Sequence, residues 1–180
     1  MTFNQITVVI TSYKSEEKIV KCLKSINKQC KIIIVENSTD RSFKEKIEKQ
    51  FINTVCLIAG ENLGYAKGNN LGLSKVETKY ALILNPDAKL ENNTLNNFFN
   101  TAKKIKNFAI IGPAIQGQKN TGKKIEALTE VESVKGFAMF LNLEQFNDVG
   151  FFDDNFFIYL EEIDLCKRLR KNKKKIYIDP

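Results

Sequence analysis

The sequence predicts an α/β domain built on an open, mostly parallel central sheet with helices on both faces. Short, wholly apolar runs alternate with segments of helical periodicity through the first half of the chain. Strands this apolar are typical of parallel sheets that are buried on both faces. The 180 residues are 43% hydrophobic and 27% charged, with only 9 glycines and 3 prolines, which suits a chain with a sizeable core. Since no repeat or linker interrupts the pattern, we expect residues 1–180 to form a single domain.

The first half predicts four strands, each followed by a helix. Ser15 is placed to cap the first helix, with Glu16 and Glu17 in the first turn, where acids favour the helix dipole. Asn85 and Pro86 end the fourth strand. The predicted strands are Ile6–Ile10, Ile32–Val35, Val55–Ala59 and Tyr80–Leu84, and the predicted helices cover 15–26, 43–51, 69–76 and 94–105.

The second half is less regular. It predicts further strands, a short helix and, near the end of the chain, a longer helix followed by a last strand. The predicted strands are Ile110–Ile115, Lys123–Leu128, Val134–Leu141 and Ile176–Ile178, and the predicted helices are Leu143–Asp148 and Glu161–Lys171.

A polar or glycine-rich segment follows each of the first four strands. The carboxyl ends of neighbouring parallel strands lie at one edge of a sheet, and open α/β sheets bind ligands there. We therefore expect Thr11–Lys14, Glu36–Asp40, Gly60–Gly68 and Asn85–Asp87 to line a common site.

Composition excludes several function classes. The chain has no histidine, which removes histidine-dependent hydrolases and the main nitrogen ligand of zinc sites. Its 4 cysteines form no C-x-x-C pair, so we expect reduced thiols, as is typical of cytosolic proteins. The apolar runs are too short to cross a bilayer, and residues 1–9 lack the features of a signal peptide. An enzyme with this sequence would depend on carboxylates or on a metal.

Two of the polar segments suggest phosphate chemistry. Asp87 offers a hard oxygen ligand that a divalent cation could share with a diphosphate, although Asn85-Pro86-Asp87 is also ordinary turn chemistry. The segment from Glu61 to Asn70 combines two glycines, the positive charge of Lys67 and the start of a helix, which could face an anion. A plain loop before a helix is the alternative interpretation.

Three acids begin the last predicted helix. At 100° per residue, Glu162 shares the apolar face of that helix, whereas Glu161 and Asp164 share a more polar face. A carboxylate on an apolar face beside aromatic residues is expected to have a raised pKa, which suits a general base. Acids in a first turn also favour the helix dipole without any catalytic role.

The charge is concentrated near the end of the chain. Seven of the nine residues from Lys167 to Lys175 are basic, whereas the rest of the chain is neutral, which gives the net charge of +7. Three interpretations stay open: a solvated helix end, attraction to anionic lipid headgroups, or nucleic-acid binding. Nucleic acid is the weakest of the three, since no basic-aromatic signature accompanies the run.

Taken together and in order, these segments resemble glycosyltransferase family 2, the GT-A nucleotide-sugar transferases, and most of all the bacterial rhamnosyltransferase-like branch of that family. The resemblance runs from Ile6 to Pro180. It is carried by Val8–Tyr13, Ile33–Ser38 with Asp40, Asn62–Asn70, Leu84–Asp87, Gly136 with Met139, Val149–Asp153 and Phe156–Arg168.

The resemblance implies a GT-A, Rossmann-like fold with a nucleotide-sugar site. Asn85-Pro86-Asp87 is similar to the metal-binding D-x-D variant of the branch, in which Asp87 would coordinate Mg²⁺ or Mn²⁺. Glu36 stands where the family usually has Asp. The nucleotide-sugar-binding residues implied are Thr11, Tyr13, Glu36, Asn62, Gly64, Lys67, Asn69, Asn85, Asp87 and Gly136.

The resemblance also implies an inverting mechanism. The acid pair of the family corresponds to Glu161 and Glu162, and the second acid, usually Asp, would be the base. Glu162 would take a proton from an acceptor hydroxyl as that hydroxyl attacks the anomeric carbon. Because Glu replaces Asp here, Asp164 stays an alternative base.

The function implied is transfer of a sugar from dTDP-rhamnose or a UDP-sugar to a lipid-linked or glycan acceptor in bacterial surface polysaccharide synthesis. The protein would then act in the cytoplasm, peripherally at the inner face of the cell membrane, with Lys167–Lys175 near anionic lipid and with no nucleic-acid partner. Relatives usually continue beyond the position of Pro180, so we also expect that the chain is C-terminally truncated or minimal. The alternative function is that of a catalytically impaired GT-A fragment acting as a binding or assembly module.

Overall fold

The computed structural model describes residues 3–115, 119–120 and 123–180, and within them the chain forms ten strands and five α-helices. Two short 3₁₀ helices occupy Phe3–Gln5 and Leu143–Phe146. The strands are β1 (Ile6–Ser12), β2 (Lys31–Glu36), β3 (Thr54–Ile58), β4 (Tyr80–Leu84), β5 (Phe108–Pro113), β6 (Lys119–Asn120), β7 (Lys123–Lys124), β8 (Thr129–Glu130), β9 (Ala138–Asn142) and β10 (Lys175–Asp179). The helices are α1 (Glu16–Ser25), α2 (Arg41–Gln50), α3 (Gly64–Leu73), α4 (Thr94–Lys104) and α5 (Glu161–Lys171).

Eight of these strands form one sheet in the order β3-β2-β1-β4-β9-β5-β10-β8. Strands β1 to β4 are parallel to one another, as are β5 and β10, whereas β9 and β8 run the other way. The prediction of a mostly parallel sheet is therefore confirmed. The carboxyl ends of β1, β2, β3 and β4 lie at one edge, because all four strands point in the same direction.

Helices bury both faces of the sheet, as predicted. Ile19 of α1, Ile47 of α2 and Phe98 of α4 belong to the core on one face, and Leu73 of α3 and Leu165 of α5 belong to the core on the other. All four cysteines are buried with free thiols, which confirms the prediction of reduced cysteines. Within the described ranges, no helix has both the length and the apolar character needed to cross a membrane.

Helix α3 begins at Gly64, well before the predicted start near Asn69. Glycine is a poor helix former, so the sequence pattern predicts a loop there. The structure shows what overrides that propensity: a Cβ on Gly68 would lie 2.5 Å from Thr11 Cγ2, and one on Gly72 would lie 2.5 Å from Val9 Cγ1. These glycines let α3 lie directly against β1, and that packing stabilises the helix.

The helix caps also differ from the prediction. The Ser15 hydroxyl donates to the carbonyl oxygen of Tyr13 (3.0 Å) and leaves the amides of α1 uncapped by this side chain. A side-chain cap is present at the next helix, α2, where Asp40 Oδ1 accepts a hydrogen bond from the Phe43 amide (3.0 Å). Both residues lie on the segments that follow β1 and β2.

Strand prediction was wrong at two places in the second half. The strand predicted from Val134 begins only at Ala138, because Gly136 and Phe137 form a turn. The strand predicted for Lys123–Leu128 is limited to Lys123–Lys124, and the short β8 that follows it was not predicted. Because β9 is antiparallel to β4, with Ala138 opposite Leu84, the turn at 136–137 lies at the carboxyl end of β4.

The free edge of the sheet at β3 is covered by side chains of α2. The Glu48 carboxylate accepts a hydrogen bond from the Cys56 amide (2.7 Å), and the Lys44 ammonium donates to the Cys56 carbonyl oxygen (2.9 Å). An uncovered edge strand is a template for pairing with another chain. These two contacts occupy both backbone groups of the central residue of this strand.

Candidate functional site

A polar cleft opens where β1 and β2 end. It has a volume of about 220 Å³ and lies between the segment after β1 and the cap of α2. Its lining consists of charged and hydroxyl side chains with one aromatic ring, namely Lys14, Ser15, Glu16, Glu36, Ser38, Thr39, Asp40 and Phe43.

Glu36, the last residue of β2, is the buried acid of this cleft. Only 4% of the residue is exposed, and burial raises the pKa of its carboxyl group. The neighbouring hydroxyl groups of Ser38 and Ser12 lower that pKa and oppose part of the rise. Such a carboxyl group is suited to accept a hydrogen bond from an N–H or hydroxyl group of a ligand that displaces water from the cleft.

The segment after β1 brings the Lys14 cation to the same cleft, and the Tyr13 ring lies next to that cation. Tyr13 is 44% exposed, and the Lys14 Nζ lies 5.2 Å from the centre of its ring. Thr11 is half-buried and lies beside Gly68 of α3. Lys14 belongs to the segment that was expected to line the site, although it was not among the nucleotide-sugar-binding residues that the resemblance implies.

The start of α3 is held by hydrogen bonds within the protein. Asn37 Nδ2 donates to the Gly64 carbonyl oxygen (2.8 Å), and the Gly64 amide donates to Asn62 Oδ1 (3.1 Å). The Tyr65 amide donates to the Phe157 carbonyl oxygen (2.6 Å), which a Cβ on Gly64 would strike. The first two amides of the helix are therefore already bonded, and they do not form the open anion site that the sequence suggests.

The other predicted residues of this segment separate into two groups. Asn69 is fully buried, and its Nδ2 donates to the Tyr65 carbonyl oxygen (2.9 Å), so the structure does not bring Asn69 to the surface of the cleft. Asn62 and Lys67 are exposed, although Asn62 Oδ1 already accepts a hydrogen bond from the Gly64 amide. Gly64 acts through its backbone alone.

The turn at 136–137 lies between the end of β4 and the start of α5 and contacts both. The Asn85 amide donates to the Phe137 carbonyl oxygen (2.8 Å), and the Tyr65 hydroxyl donates to the Gly136 carbonyl oxygen. A Cβ on Gly136 would lie 3.7 Å from the Cβ of Glu162. The structure therefore brings Asn85, Gly136 and Glu162, which are far apart in sequence, into one neighbourhood.

Asp87 is the exposed carboxylate of the turn after β4. Its side chain is 56% exposed and lies 3.9 Å from Lys18 Nζ, a weak surface pair. Among the residues that the structure describes, no three His, Cys, Asp or Glu side chains are grouped to hold a metal. One carboxylate beside an asparagine amide fits a Mg²⁺-type ion whose other ligands are phosphate oxygens and water, not a cage made by the protein alone.

The buried acid at the start of α5 is Glu161, not Glu162 as predicted. Glu161 is 5% exposed, and burial raises the pKa of its carboxyl group. Its Oε2 has no hydrogen-bond partner among the described residues. Glu162 is half-buried against the turn at Gly136, so its carboxylate has a path to solvent.

Asp164 is engaged in a structural ion pair. Its Oδ2 accepts a hydrogen bond from Arg168 Nε (2.7 Å), and Arg168 also donates to the carbonyl oxygens of Val149 and Phe151. Arg168 is therefore not part of the basic surface that the sequence predicts, because its guanidinium is used in contacts within the protein. This guanidinium joins α5 to the segment that precedes residues 152–160.

The profile of glycosyl transferase family 2 matches residues 7–166. The chain belongs to glycosyl transferase family 2. It is 25% identical to the low-salt glycan biosynthesis hexosyltransferase Agl10 of Haloferax volcanii, over 96% of this chain and 64% of that protein. It is 37% identical to the teichoic acid poly(glycerol phosphate) polymerase of Staphylococcus epidermidis, over 48% of this chain and 13% of the polymerase.

Solved structures with the same fold include S. aureus TarS 1-349 in complex with UDP-GlcNAc, with a TM-score of 0.73 and 16% identity over 96% of this chain and 55% of that one. The mannosyltransferase PcManGT from Pyrobaculum calidifontis, in complex with GDP-Man and Mn²⁺, gives a TM-score of 0.75 and 14% identity over 98% of this chain and 54% of that one. These likenesses confirm the GT-A-like fold. The chain thus spans less than two thirds of the length of each of these relatives, and its place in the rhamnosyltransferase-like branch stays a prediction.

Proposed function

We propose that this chain binds a nucleotide sugar and transfers the sugar, with inversion, to an acceptor hydroxyl. The observation that carries the proposal is the turn at 136–137, which contacts Asn85 on one side and Glu162 on the other. The turn proposed to bind the cation and the proposed base would thereby border the same end of the sheet as the polar cleft. This is the arrangement that a single displacement at an anomeric carbon requires.

The cleft between β1 and α2 is the proposed nucleoside pocket. Thr11, Tyr13 and Glu36 would contact the nucleoside, while Asn62 and Lys67 are exposed and would reach the phosphates. A UDP-sugar or dTDP-rhamnose is the proposed donor. The TarS and PcManGT structures contain UDP-GlcNAc and GDP-Man, which supports this class of ligand for the fold.

Asp87 is the proposed ligand of Mg²⁺ or Mn²⁺, with Asn85 beside it. When bound, the divalent ion would neutralise the charge that develops on the leaving nucleoside diphosphate. The exposed position of Asp87 leaves room for a diphosphate to complete the coordination.

Glu162 is the proposed general base. The acceptor oxygen would bond to the anomeric carbon as the bond from that carbon to the diphosphate oxygen breaks, and the hydroxyl proton would pass to the Glu162 carboxylate. No covalent intermediate with the protein is needed. Asp164 is the weaker candidate, because its carboxylate already pairs with Arg168. Glu161 is buried and is better suited to position the start of α5.

The proposed acceptor is a lipid-linked or glycan hydroxyl in the assembly of a cell-surface polysaccharide, at the cytoplasmic face of the membrane. The names of the relatives, in low-salt glycan biosynthesis and teichoic acid polymerisation, support this class.

Isothermal titration calorimetry with UDP- and dTDP-sugars, with and without Mn²⁺, tests donor binding. We expect heat of binding that Mn²⁺ increases, and loss of the Mn²⁺ effect in Asp87→Ala. Asp148→Ala is the matched control, since it removes another exposed acid that is remote in sequence from Asp87. Absence of heat with every donor, or an equal loss in both variants, would contradict the proposal.

Turnover separates a transferase from a binding module. Release of nucleoside diphosphate in the presence of acceptor should fall at least ~100-fold in Glu162→Gln, as for loss of a general base, while donor binding is retained. Donor binding by the unmodified chain without any release of nucleoside diphosphate would favour the alternative of a catalytically impaired module.

A further inference from the structure

We infer that the loop before α5 and the exposed face of that helix form one surface that docks on an anionic lipid bilayer beside the candidate active site. This inference deepens the proposed function by naming the partner that would present a lipid-linked acceptor, and that part of it rests on the proposed function. The docking surface consists of Phe157–Leu160, Ile163, Lys167, Lys171 and Lys173.

The apolar half of the docking surface is concentrated in one short segment. Of the nine large apolar side chains that are exposed in the described residues, five lie between Phe157 and Ile163. Tyr159 and Leu160 are the most exposed of these five, at 76% and 63%. Single exposed apolar side chains need no explanation, but a contiguous group marks a contact surface.

The loop is built to present these side chains. Tyr159 and Leu160 both have φ of 70°, a left-handed backbone that bulky residues rarely adopt. The base of the loop is fixed to α3, since the Phe157 carbonyl oxygen accepts the Tyr65 amide and Asn70 bonds to both Phe152 and Asp154. A strained backbone on a fixed base points to a conformation kept for function.

The basic half of the docking surface continues along α5. Lys167 and Lys171 follow Ile163 at intervals of four residues, so they share its exposed helix face. Arg170 and Lys175 are paired with Glu132 and Glu130. In contrast, Lys167, Lys171 and Lys173 have no carboxylate oxygen within 4.0 Å among the described residues. An apolar tip followed by free lysines is the pattern of elements that lie in the headgroup region of anionic membranes.

Charge argues for lipid over a second copy of the chain. In a two-fold dimer the same patch faces itself, which would set these lysines against their own counterparts. An anionic bilayer meets both requirements at once, since the lysines approach lipid phosphates while the loop side chains enter the apolar boundary. Because Glu161 and Glu162 directly follow Leu160, docking would place the mouth of the site at the lipid surface.

Vesicle co-sedimentation of the full chain tests the inference, with phosphatidylcholine vesicles and with vesicles that also contain phosphatidylglycerol. We expect binding to the anionic vesicles, weak binding to the neutral ones, and loss of binding between ~0.1 M and ~1 M salt, as screening predicts. The double substitution Lys167→Gln and Lys171→Gln should weaken binding about 30-fold. Lys21→Gln with Lys28→Gln removes the same charge from elsewhere on the surface and should have little effect.

The apolar contribution is tested with Tyr159→Asn and Leu160→Asn together, because asparagine tolerates the left-handed backbone. This pair should weaken vesicle binding at least ~10-fold. Ile52→Asn, at a side chain that is 96% exposed and remote in sequence, is the matched control. Equal effects of the loop and control variants, or binding that ignores lipid charge, would overturn the inference. So would self-association of the chain that the loop variants abolish, since the surface would then serve a second copy.

Donor binding, measured by calorimetry on the same variants, keeps the two proposals distinct. The loop variants should bind the nucleotide sugar like the unmodified chain, which also shows that they fold. Vesicle docking without donor binding would support the docking surface and contradict the proposed function. Donor binding without vesicle docking would do the reverse.

Discussion

The substitution Asp164→Asn tests whether the Asp164 carboxylate has a structural or a catalytic role. In the structure, the Asp164 side chain is 29% exposed, and its Oδ2 lies 2.7 Å from Nε of Arg168, which is 28% exposed. A hydrogen bond to a charged group contributes ~1.5–3 kcal/mol, and partial exposure and the remaining amide oxygen reduce the loss. We therefore expect Asp164→Asn to lower the free energy of unfolding by about 1–2 kcal/mol.

For a chain of this length, that loss corresponds to a fall in Tm of about 2–8 °C, measured by circular dichroism on heating. Release of nucleoside diphosphate, assayed below the new Tm, should be largely retained. Glu162→Gln should show the opposite result, with a Tm within ~2 °C of the unmodified protein and a large loss of turnover. If Asp164→Asn leaves Tm unchanged and abolishes turnover, Asp164 is the base and the assignment of Glu162 fails.

Three further substitutions test the packing and electrostatics of the site and the sheet edge. Gly68→Ala should lower the free energy of unfolding by ~1–3 kcal/mol, because the added Cβ would overpack against Thr11. Adding Thr11→Ser, which removes the Thr11 methyl group, should restore part of that free energy in urea unfolding. If it restores none, the strain does not lie between these two side chains. Because burial raises the folded-state pKa of Glu36, its contribution to stability is present below the unfolded pKa and is lost as pH rises through the folded pKa. Glu36→Gln should accordingly raise Tm near neutral pH and change it little near pH ~4, whereas a uniform shift would rule out a titration effect. Glu48→Ala removes the acceptor of the Cys56 amide, so Tm should fall by the equivalent of ~1 kcal/mol. Light scattering should also show concentration-dependent association through the exposed edge strand β3. Unchanged scattering would show that other contacts protect this edge.

The sheet was predictable because its strands are buried on both faces. A run such as Ile32–Val35 or Tyr80–Leu84 has few alternatives to a central strand, and parallel direction then places the segments that follow at one edge. The start of α3 was not predictable in the same way. The helix from Gly64 depends on how closely Gly68 and Gly72 approach β1, which is a tertiary property that no local pattern contains.

The turn at 136–137 shows a second limit. Apolar residues on both sides of Gly136 read as one strand, whereas the strand begins at Ala138 and runs antiparallel between β4 and β5. A β-branched and aromatic run predicts extended backbone, but it does not predict the residue at which pairing begins. The start of pairing at Ala138 matters for the site, because it leaves residues 136–137 as a turn that contacts both Asn85 and Glu162.

The acids of α5 show that helical periodicity predicts the side of the helix on which a residue lies, but not how deeply that residue is buried. Glu162 lies on the same side of the helix as Leu165 and Leu169, and those leucines are fully buried. At the first turn of the helix the apolar core has ended, and the neighbour on that side is Gly136, which has no side chain to close the space. The direction predicted for Glu162 was therefore sound, but burial and the raised pKa fall on Glu161. A base that must exchange a proton with an acceptor needs an opening of this kind, so the half-buried position of Glu162 favours its proposed role over that of its buried neighbour.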